Sequence, residues 1–422
     1  MKQSSYNPGP LEKVQSGLQA MAAYRARTPT TPWDGLYYEL VSGYLENLLT
    51  ARERGQLVAT QSDVVPCEIM YAMDMVPFHI SMVSCTLATV LREQEGMFST
   101  AKSFGIAPEV CSVHRLVAAL FLQGWAPPVD AVIWSNESCD NNAKSSELLA
   151  HVYNAPGFYF DCPYHFDEES FDYLAGEMGD LFDFLGRVTG TPLRRERLEE
   201  VLGLSQRLVE VAREITELRQ AVPYPADNRL GFQLFLIRWY WQGKPQGVKF
   251  YETVRDSLRE RALQGREGSP RQRFRLLSLF LPPNHDWKLL DWMEREFGAY
   301  IVSEPANNHW GEIDWKRDNP LQTLAQRCLA DPVSYLSYSP VEKWVEAVRE
   351  DARDFAADGA IFWAHIGCRQ ANATIRTIKD ALLQMGVPCL VLDIDTNDPS
   401  FIDTEELKDR IEGFLERIED NR

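Results

Sequence analysis

The sequence has 422 residues, a quarter of them charged, and a formal net charge of −18. This acidic excess opposes non-specific binding to nucleic acid, because affinity for phosphates depends on clustered Lys and Arg. No apolar run approaches the roughly 18 residues that a bilayer-spanning helix needs, and the first residues lack the apolar core of a secretory signal. We therefore expect a cytoplasmic protein with no nucleic-acid or membrane partner.

Cysteine usage and missing motifs narrow the chemistry. The eight cysteines come without a secretion signal, which favours metal ligation or catalysis over a disulfide framework. No CxxC pair is present, which argues against zinc ribbons, thioredoxin-type pairs and ferredoxin-type cluster loops. The sequence also lacks GxxxxGK[ST], a GxGxxG after a strand, and GxSxG, so nucleotide hydrolysis, Rossmann hydride transfer and α/β-hydrolase chemistry lose support. If the reaction uses ATP, another chain hydrolyses it.

The whole chain is longer than one compact core usually holds, so about two or three domains are expected. The first of these is a helical unit. Two amphipathic helices are predicted over residues 11–27 and 36–54, separated by the breaker sequence TPTTPWDG. We expect this N-terminal unit, residues 1–60, to pack on a larger core.

An α/β domain is predicted next, over residues 61–167. A buried strand at 129–134, a helix at 141–153 and a strand at 157–160 form a βαβ unit. Residues 168–270 then become helical and charge-rich, with an aromatic segment, LGFQLFLIRWYW, that must be largely buried. We interpret this stretch as a helical layer.

A second α/β domain is predicted over residues 271–422, where strands and helices alternate again. The strands are predicted at 276–281, 300–303, 360–364 and 389–394, and the helices at 287–297, 341–357, 370–385 and 404–418. This order implies a second parallel sheet. The predicted fold class is therefore α/β, with two doubly wound, flavodoxin-like sheets, N-terminal helices and a helical insert between the two.

Two cysteines follow predicted strands. Cys139 comes after the strand at 129–134 and Cys368 after the strand at 360–364, each in a short loop that leads into a helix. In doubly wound sheets the carboxyl ends of the strands face the ligand crevice, and a helix N-terminus favours the negative charge of a thiolate. Cys111 also stands at a predicted helix start and could complete a triad.

A free cysteine is also a common small core residue, so each position has an alternative interpretation. Their positions alone do not decide whether Cys139 and Cys368 are metal ligands or core residues. Cys162 follows a strand as well and is the most credible substitute ligand. The remaining cysteines have apolar neighbours and are expected to be core residues, namely Cys67, Cys85, Cys328 and Cys389.

Three polar residues could serve the same crevice. His309 follows the strand at 300–303 in a polar loop and suits a proton donor or a substrate contact. An equal alternative is that His309 only orders its own loop. His114 and Arg115 follow Cys111 in the first helical turn, where they could balance the charge of a bound group or remain solvated.

An acidic run after the last strand resembles a hard-cation site. It contains Asp393, Asp395 and Asp398. The run lacks the glycine and terminal glutamate of an EF-hand, so a turn that leads into the final helix is the simpler interpretation.

A set of motifs spread along the chain carries a family resemblance. They are DVVPCEIMYAMD (63–74), VCSVHR (110–115), VDAVIW (129–134) followed by SCDN (138–141), DGAIFWAHIGCR (358–369), GVPCLVLDID (386–395) and LKDRIEGF (407–414). With these motifs the chain resembles the 2-hydroxyacyl-CoA dehydratase and benzoyl-CoA reductase family of iron–sulfur subunits over most of its length.

The resemblance implies a cofactor and partners. It assigns Cys111, Cys139 and Cys368 as ligands of an oxygen-sensitive [4Fe–4S] cluster with one iron left open to water or substrate. It implies a homologous second iron–sulfur subunit and a separate ATP-hydrolysing iron–sulfur activator that supplies one electron at a time to an acyl-CoA thioester. ATP would then act only through that activator, which fits the missing nucleotide motifs.

The two branches of this family differ after the first electron. A dehydratase expels a β-hydroxyl group through a ketyl radical, whereas a reductase adds a second electron and protons to an aromatic ring and forms a dienoyl-CoA. We expect the reductase, with a dehydratase subunit as the alternative and a cluster-free scaffold subunit as a further one.

The choice between the branches depends on the first motif. Dehydratase catalytic subunits carry a serine three residues before its proline and an acidic residue a little further on. Aligned on Pro66, this sequence has Asp63 at the serine position and Ser81 at the acidic position, with Ser62 next to Asp63. The difference favours the reductase and makes these three residues, with His309, candidate catalytic groups. An electron-relay subunit of a dehydratase could have lost the same contacts.

Overall fold

The computed structural model describes residues 6–91, 94–136, 139–264 and 271–422, and its strands form two four-stranded sheets. The first sheet contains β1 (Val58–Gln61), β2 (Val76–His79), β3 (Ala131–Ser135) and β4 (Gly157–Phe160). The second contains β5 (Phe274–Leu279), β6 (Ala299–Ser303), β7 (Gly359–His365) and β8 (Cys389–Ile394). Every strand pair is parallel, as the fold-class prediction requires.

Both sheets have the same strand order. It is β2-β1-β3-β4 in the first sheet and β6-β5-β7-β8 in the second. In each sheet the chain moves outward from the first strand to the second and then returns to the other side of the first strand. The loops that follow β1 and β3, or β5 and β7, therefore diverge and leave a crevice at the carboxyl ends of these strands.

Helices surround and connect the sheets. Those before and within the first sheet are α1 (Gly9–Arg27), α2 (Asp34–Leu49), α3 (Cys67–Ala72), α4 (Ile80–Val90), α5 (Gln94–Phe104), α6 (Ser112–Leu122) and α7 (Asp140–Tyr153). The predicted helical layer contains α8 (Glu168–Thr189), α9 (Arg195–Arg219), α10 (Leu230–Trp241) and α11 (Pro245–Gln264). The last part contains α12 (Trp287–Phe297), α13 (Pro305–Asn308), α14 (Pro320–Ala330), α15 (Pro332–Ser337), α16 (Val341–Asp354), α17 (Arg369–Leu383) and α18 (Thr404–Asp420).

Each sheet is buried on both faces. In β3, Ala131 and Ile133 pack with α3, α8 and α14, whereas Val132 packs with α2, α6 and α10. In β7, Trp363 packs with α12 and α18, and Phe362 packs with α16 and α17. This two-sided burial is what a parallel, doubly wound sheet requires.

The helix α10 is buried along its whole length, as its aromatic sequence predicted. It contacts α2, α3, α11 and α13 and strand β2, so it has apolar neighbours on every side. It thereby connects the N-terminal helices with both α/β parts. No helix in the described part of the chain is long and apolar enough to cross a membrane.

Several element bounds differ from the prediction. The helix predicted at 36–54 ends at Leu49, and turns follow up to Gly55, which has a left-handed backbone. The strand predicted at 276–281 lies at 274–279, because Phe280 adopts a positive φ of 64° that ends it. Strands β1 and β2 had no predicted counterpart. Ser138 and the predicted boundary at 270 lie outside the described residues.

Candidate active site

Cys111, Cys139 and Cys368 share one structural position. They are the N-cap residues of α6, α7 and α17, and none of the three side chains caps its helix by a hydrogen bond. None of the eight cysteines is in a disulfide. Each thiol therefore lies at the positive end of a helix dipole, which favours a thiolate.

The three thiols line one cavity of about 230 Å³. Cys139 and Cys368 follow β3 and β7, so both strand ends predicted to face a crevice do face it. Cys85, expected to be a core residue, is buried and lines this cavity as well. Cys162, the predicted substitute ligand, is not among the lining residues.

The two α/β parts approach each other closely at this cavity. Gly367 precedes Cys368, and a Cβ atom added to it would lie 2.4 Å from Cys111 Cα and 2.7 Å from Cys111 N. Only glycine allows this approach. The loop after β7 thus rests directly on the start of α6 and brings the first and last of the three cysteines together.

Burial keeps the thiols of Cys111 and Cys139 protonated. It raises the pKa of Cys111 well above its ordinary value, and the nearby Cys139 and Cys368 add to the effect. Burial, together with the charge of Asp63, raises the pKa of Cys139 to about 12. Thiolates would form here only together with a cationic partner, so metal binding at this site would release protons.

Two histidines contact the sulfur atoms. His365 Nε2 lies 3.0 Å from Cys111 Sγ, while its Nδ1 accepts a hydrogen bond of 3.2 Å from Thr396 N–H. Because Nδ1 is the acceptor, the neutral ring carries its proton on Nε2 and donates it to the sulfur. His114 Nε2 lies 3.5 Å from Cys139 Sγ. Arrangements of this kind orient and tune metal ligands.

Arg115 and the acidic run form an ion pair beside the site. Arg115 Nη2 lies 3.1 Å from Asp395 Oδ2 and 3.4 Å from Asp398 Oδ2. Asp395 and Asp398 also accept backbone hydrogen bonds within their own turn. Asp395 and Asp398 thus belong to a turn anchored to α6, whereas Asp393 lies in strand β8. Arg115 does not line the cavity.

Asp63 and Ser81 lie in the cavity wall, while Ser62 is buried and not among the lining residues. Burial raises the pKa of Asp63 to about 6, and the Ser81 hydroxyl opposes this rise. The Oδ1 atom of Asp63 is buried and has no hydrogen-bond partner among the described residues. Asp63 can therefore hold and release a proton near neutral pH.

His79 is a neighbour of Asp63 that the sequence did not predict. Its Nε2 lies 4.0 Å from Asp63 Oδ1, and its Nδ1 accepts a 3.4 Å hydrogen bond from Met82 N–H. Burial lowers the pKa of His79 to about 3, so the ring stays neutral. A histidine at the end of an apolar strand was the available signal, but β2 was not predicted.

His309 lies away from this cavity. Its Nε2 is 2.8 Å from Asp351 Oδ1, and Asp351 also accepts a hydrogen bond from Ser303. Burial acts to lower the pKa of His309, but Asp351 and Glu350 outweigh it and raise the pKa. The structure thus does not bring His309 together with the cysteines, and its predicted role has no contact in the cavity to support it.

The rest of the cavity is largely aromatic. Phe232, Phe235 and Trp239 come from the buried helix α10, Phe280 follows β5, and Trp344 comes from α16. Such a wall suits a flat, apolar ligand. The thiols and the Asp63 carboxyl are among the polar groups that such a ligand would meet, together with side chains such as Glu304 and Arg369.

The thiols do not form a site for a single ion. Within the described ranges, no three His, Cys, Asp or Glu side chains are arranged to hold one metal ion. An iron–sulfur cluster uses cysteines that bind different irons, so it needs thiols around a shared space. Thiols at three helix starts around one cavity fit such a group.

Fold and cavity together define a doubly wound α/β protein with a cysteine-lined cleft between two parallel sheets. A sequence model of the family described as "2-hydroxyglutaryl-CoA dehydratase, D-component" matches residues 64–418, so the chain belongs to this family. The match covers every strand of the two sheets except β1, and all three cysteines.

Three curated relatives are similar over long alignments. A benzoyl-CoA reductase subunit of Thauera aromatica is 22% identical over 416 residues, covering 91% of this chain and 94% of the relative. The (R)-2-hydroxyisocaproyl-CoA dehydratase alpha subunit of Clostridioides difficile is 19% identical over 407 residues, covering 91% and 95%. The alpha subunit of the (R)-2-hydroxyglutaryl-CoA dehydratase of Acidaminococcus fermentans is 21% identical over 312 residues, covering 70% and 61%.

Proposed function

We propose that this chain is an iron–sulfur subunit that passes single electrons to an aromatic acyl-CoA thioester and so reduces the ring to a dienoyl-CoA. The observation that carries the proposal is the convergence of Cys111, Cys139 and Cys368, from three separate helix starts, on one largely apolar cavity. A cluster held by these thiols would be close enough to pass electrons to a ligand that fills the rest of the cavity.

Cys111, Cys139 and Cys368 would hold a [4Fe–4S] cluster. When bound, such a cluster supplies single electrons at low potential. The Nε2–H group of His365 donates to the Cys111 sulfur, which favours added negative charge on that ligand. The buried, aromatic surroundings exclude water, which would otherwise quench a reactive intermediate.

The acyl end of the substrate would lie against the aromatic wall, near Asp63. Reduction of one ring to a diene takes two electrons and two protons. The electrons would come one at a time from a reduced activator, which is oxidised in turn. Asp63, with a pKa of about 6, could deliver one proton as a general acid, and water could supply the other.

The proposal includes two protein partners. The three relatives are named as subunits, which supports a second, homologous subunit for this chain. ATP would be hydrolysed by a separate iron–sulfur activator, because the sequence contains no P-loop of its own.

A 2-hydroxyacyl-CoA dehydratase subunit is the second candidate. The family description and two of the relatives favour it. The aromatic wall and the presence of Asp63 in place of a serine favour the reductase.

Iron and sulfide analysis of anaerobically purified full chain tests the cluster. Cys368→Ser should lose at least half of the bound iron, while Cys389→Ser, a partly buried position outside the cavity, should retain it. Equal retention in both variants would contradict the assignment of Cys368 as a ligand, whereas iron-free wild-type protein would contradict the cluster and leave the scaffold alternative. Turnover with the partner subunit and reduced activator then separates the reactions, because a dienoyl-CoA marks the reductase and loss of water from a 2-hydroxyacyl-CoA marks the dehydratase.

A further inference from the structure

The loop after β1 contains a strained residue next to Asp63. Val64 has a left-handed backbone with a φ of 65°. This conformation is rare for a β-branched side chain and persists only where the surroundings impose it. Gln61 Nε2 donates to Val65 O at 2.9 Å, and Cys328 Sγ donates to Val64 O at 3.3 Å. Strain of this kind collects at functional sites, and the side chain that it directs here is that of Asp63.

The two oxygens of the Asp63 carboxyl have different surroundings. The side chain is 23% exposed and lines the cysteine-lined cavity, whereas Oδ1 is buried. The exposure therefore lies on the side of Oδ2, which faces the cavity. The groups around the carboxyl are the His79 ring at the end of β2, the Ser81 hydroxyl and Cys85 thiol of α4, and the Cys139 thiol at the start of α7. None of them is a cation, so a hydrogen bond rather than an ion pair must orient the carboxyl.

The buried oxygen lies opposite a buried donor. Asp63 Oδ1 is 4.0 Å from His79 Nε2, and neither atom has a hydrogen-bond partner in the described part of the chain. His79 Nδ1 accepts a hydrogen bond from Met82 N–H, so the neutral ring carries its proton on Nε2. A donor and an acceptor thus face each other, and burial makes it costly for either to stay unpaired.

The His79 ring is fixed, so the carboxyl must make the adjustment. The His79 backbone N–H donates to the Tyr44 hydroxyl at 2.9 Å, and the ring meets Trp239 edge to face at 5.0 Å. A movement of the carboxyl by about 1 Å brings Oδ1 into hydrogen-bond range of Nε2. Catalytic hydrogen bonds are often long in free enzymes in just this way.

We propose that His79 is a positioning residue for Asp63: its Nε2–H group holds Oδ1 as an acceptor and thereby leaves the acidic proton on Oδ2, toward the cavity. From Oδ2 the proton passes to the reduced ring of the substrate, and the carboxylate that remains keeps the hydrogen bond from His79. A proton from water then restores the acid. The inference rests on the proposed function, which supplies a substrate that takes up the proton.

Infrared spectroscopy of the anaerobically purified full chain tests the contact without turnover. Difference spectra between pH 4 and pH 7 contain the carbonyl band of the protonated Asp63 carboxyl, which Asp63→Asn identifies by its loss. A hydrogen bond to Oδ1 lowers the frequency of this band. His79→Asn retains an acceptor for Met82 N–H but has no donor in place of Nε2, so the band should move to higher frequency. His79→Gln restores a donor and should return the band toward its wild-type position.

A second measurement leaves His79 unchanged and so covers variants that do not fold. In the chain labelled with ¹⁵N-histidine, one Nε2–H resonance should move between pH 4 and pH 7 as Asp63 titrates. The same resonance should stay fixed in Asp63→Asn. A resonance that moves equally in both proteins would overturn the proposal.

Turnover with the partner subunit and reduced activator tests the consequence for catalysis. His79→Asn should lower kcat about tenfold and leave KM within about twofold, because the proton is needed only in the chemical step. In the Asp63→Asn background the same change should cause no further loss. The exposed His151→Asn, outside the cavity, is the control and should match the wild type.

An unshifted carbonyl band in His79→Asn would overturn the proposal, as would an equal loss of kcat in both backgrounds. A wild-type chain that turns over neither thioester would overturn the proposed function and the role of the proton. The infrared and resonance measurements would still decide whether His79 holds Asp63, so the two failures are distinguishable.

Discussion

Asp63 is a carboxylic acid whose surroundings make its charged form unfavourable. Its carboxyl lies in the wall of the cysteine-lined cavity, and burial raises its pKa from 3.8 to about 6. The neighbouring His79 is neutral and offers no compensating charge. An ionised Asp63 therefore destabilises the folded chain, a cost that is reasonable where a proton must be held close to a substrate.

The first prediction concerns the pH dependence of stability. A raised pKa in the folded state means that Asp63 contributes stability below about pH 4, and that this contribution is lost as pH rises through about 6. Asp63→Asn should remove this loss and gain roughly 3 kcal/mol relative to wild type at pH 7. Urea unfolding between pH 4 and pH 7 measures it.

The exposed Asp409→Asn serves as the matched control, because substitutions of exposed surface residues usually change stability by less than about 0.5 kcal/mol. If the effect of Asp63→Asn did not change between pH 4 and pH 7, the carboxyl would be solvated and unsuited to hold a proton.

Among the elements, the helix starts were predictable from the sequence and the short strands were not. Cys139 and Cys368 follow long apolar strands, so their position at a crevice could be inferred from local pattern alone. Strands β1 and β2 have four residues each, too few for a periodic signal, and with them the position of His79 was missed. The aromatic wall of the cysteine-lined cavity draws on α10, α16 and the residue after β5, and no local pattern marks residues that only tertiary packing brings together.

A second prediction concerns the buried helix α10. A Cβ atom added to Gly231 would lie 2.1 Å from the Glu304 carboxyl, which is held in place by Arg219 at 2.8 Å. Gly231→Ala should therefore lower the free energy of unfolding by about 1 to 3 kcal/mol through overpacking. Chemical denaturation measures the change.

Gly203→Ala in α9 provides the comparison, because nothing lies within 4 Å of the added Cβ. It should be neutral or stabilise by up to about 1 kcal/mol, since alanine is the better helix former. If both substitutions stabilised the chain equally, the tight contact between α10 and Glu304 would be wrong.

At the scale of the whole molecule, the two α/β parts meet at the cysteines. Gly367 lies against the backbone of Cys111, and Arg115 reaches across to Asp395 and Asp398. The predicted domain boundaries at 60, 167 and 270 remain predictions. What the contacts establish is that residues from both sheets build one site.

The third prediction tests this junction. Gly367→Ala would push the loop after β7 away from the start of α6, because the obstacle is backbone and cannot rotate aside. We expect bound iron to fall at least twofold in anaerobically reconstituted protein, with the circular dichroism of the helices unchanged. Gly176→Ala in α8 has open space around it and should keep its iron. Unchanged iron in Gly367→Ala would show that the site tolerates separation of the two parts.

The distance in sequence between Cys111 and Cys368 has a consequence for biosynthesis. The segment from Cys111 to Cys368 must be synthesised before the last thiol emerges, and β7 must pair with β5 and β8 before that thiol is in place. Loading of the proposed cluster with iron and sulfide would therefore be a late event. Shorter nascent chains would carry Cys111 and Cys139 without Cys368, so the three thiols would come together only after the second sheet has formed.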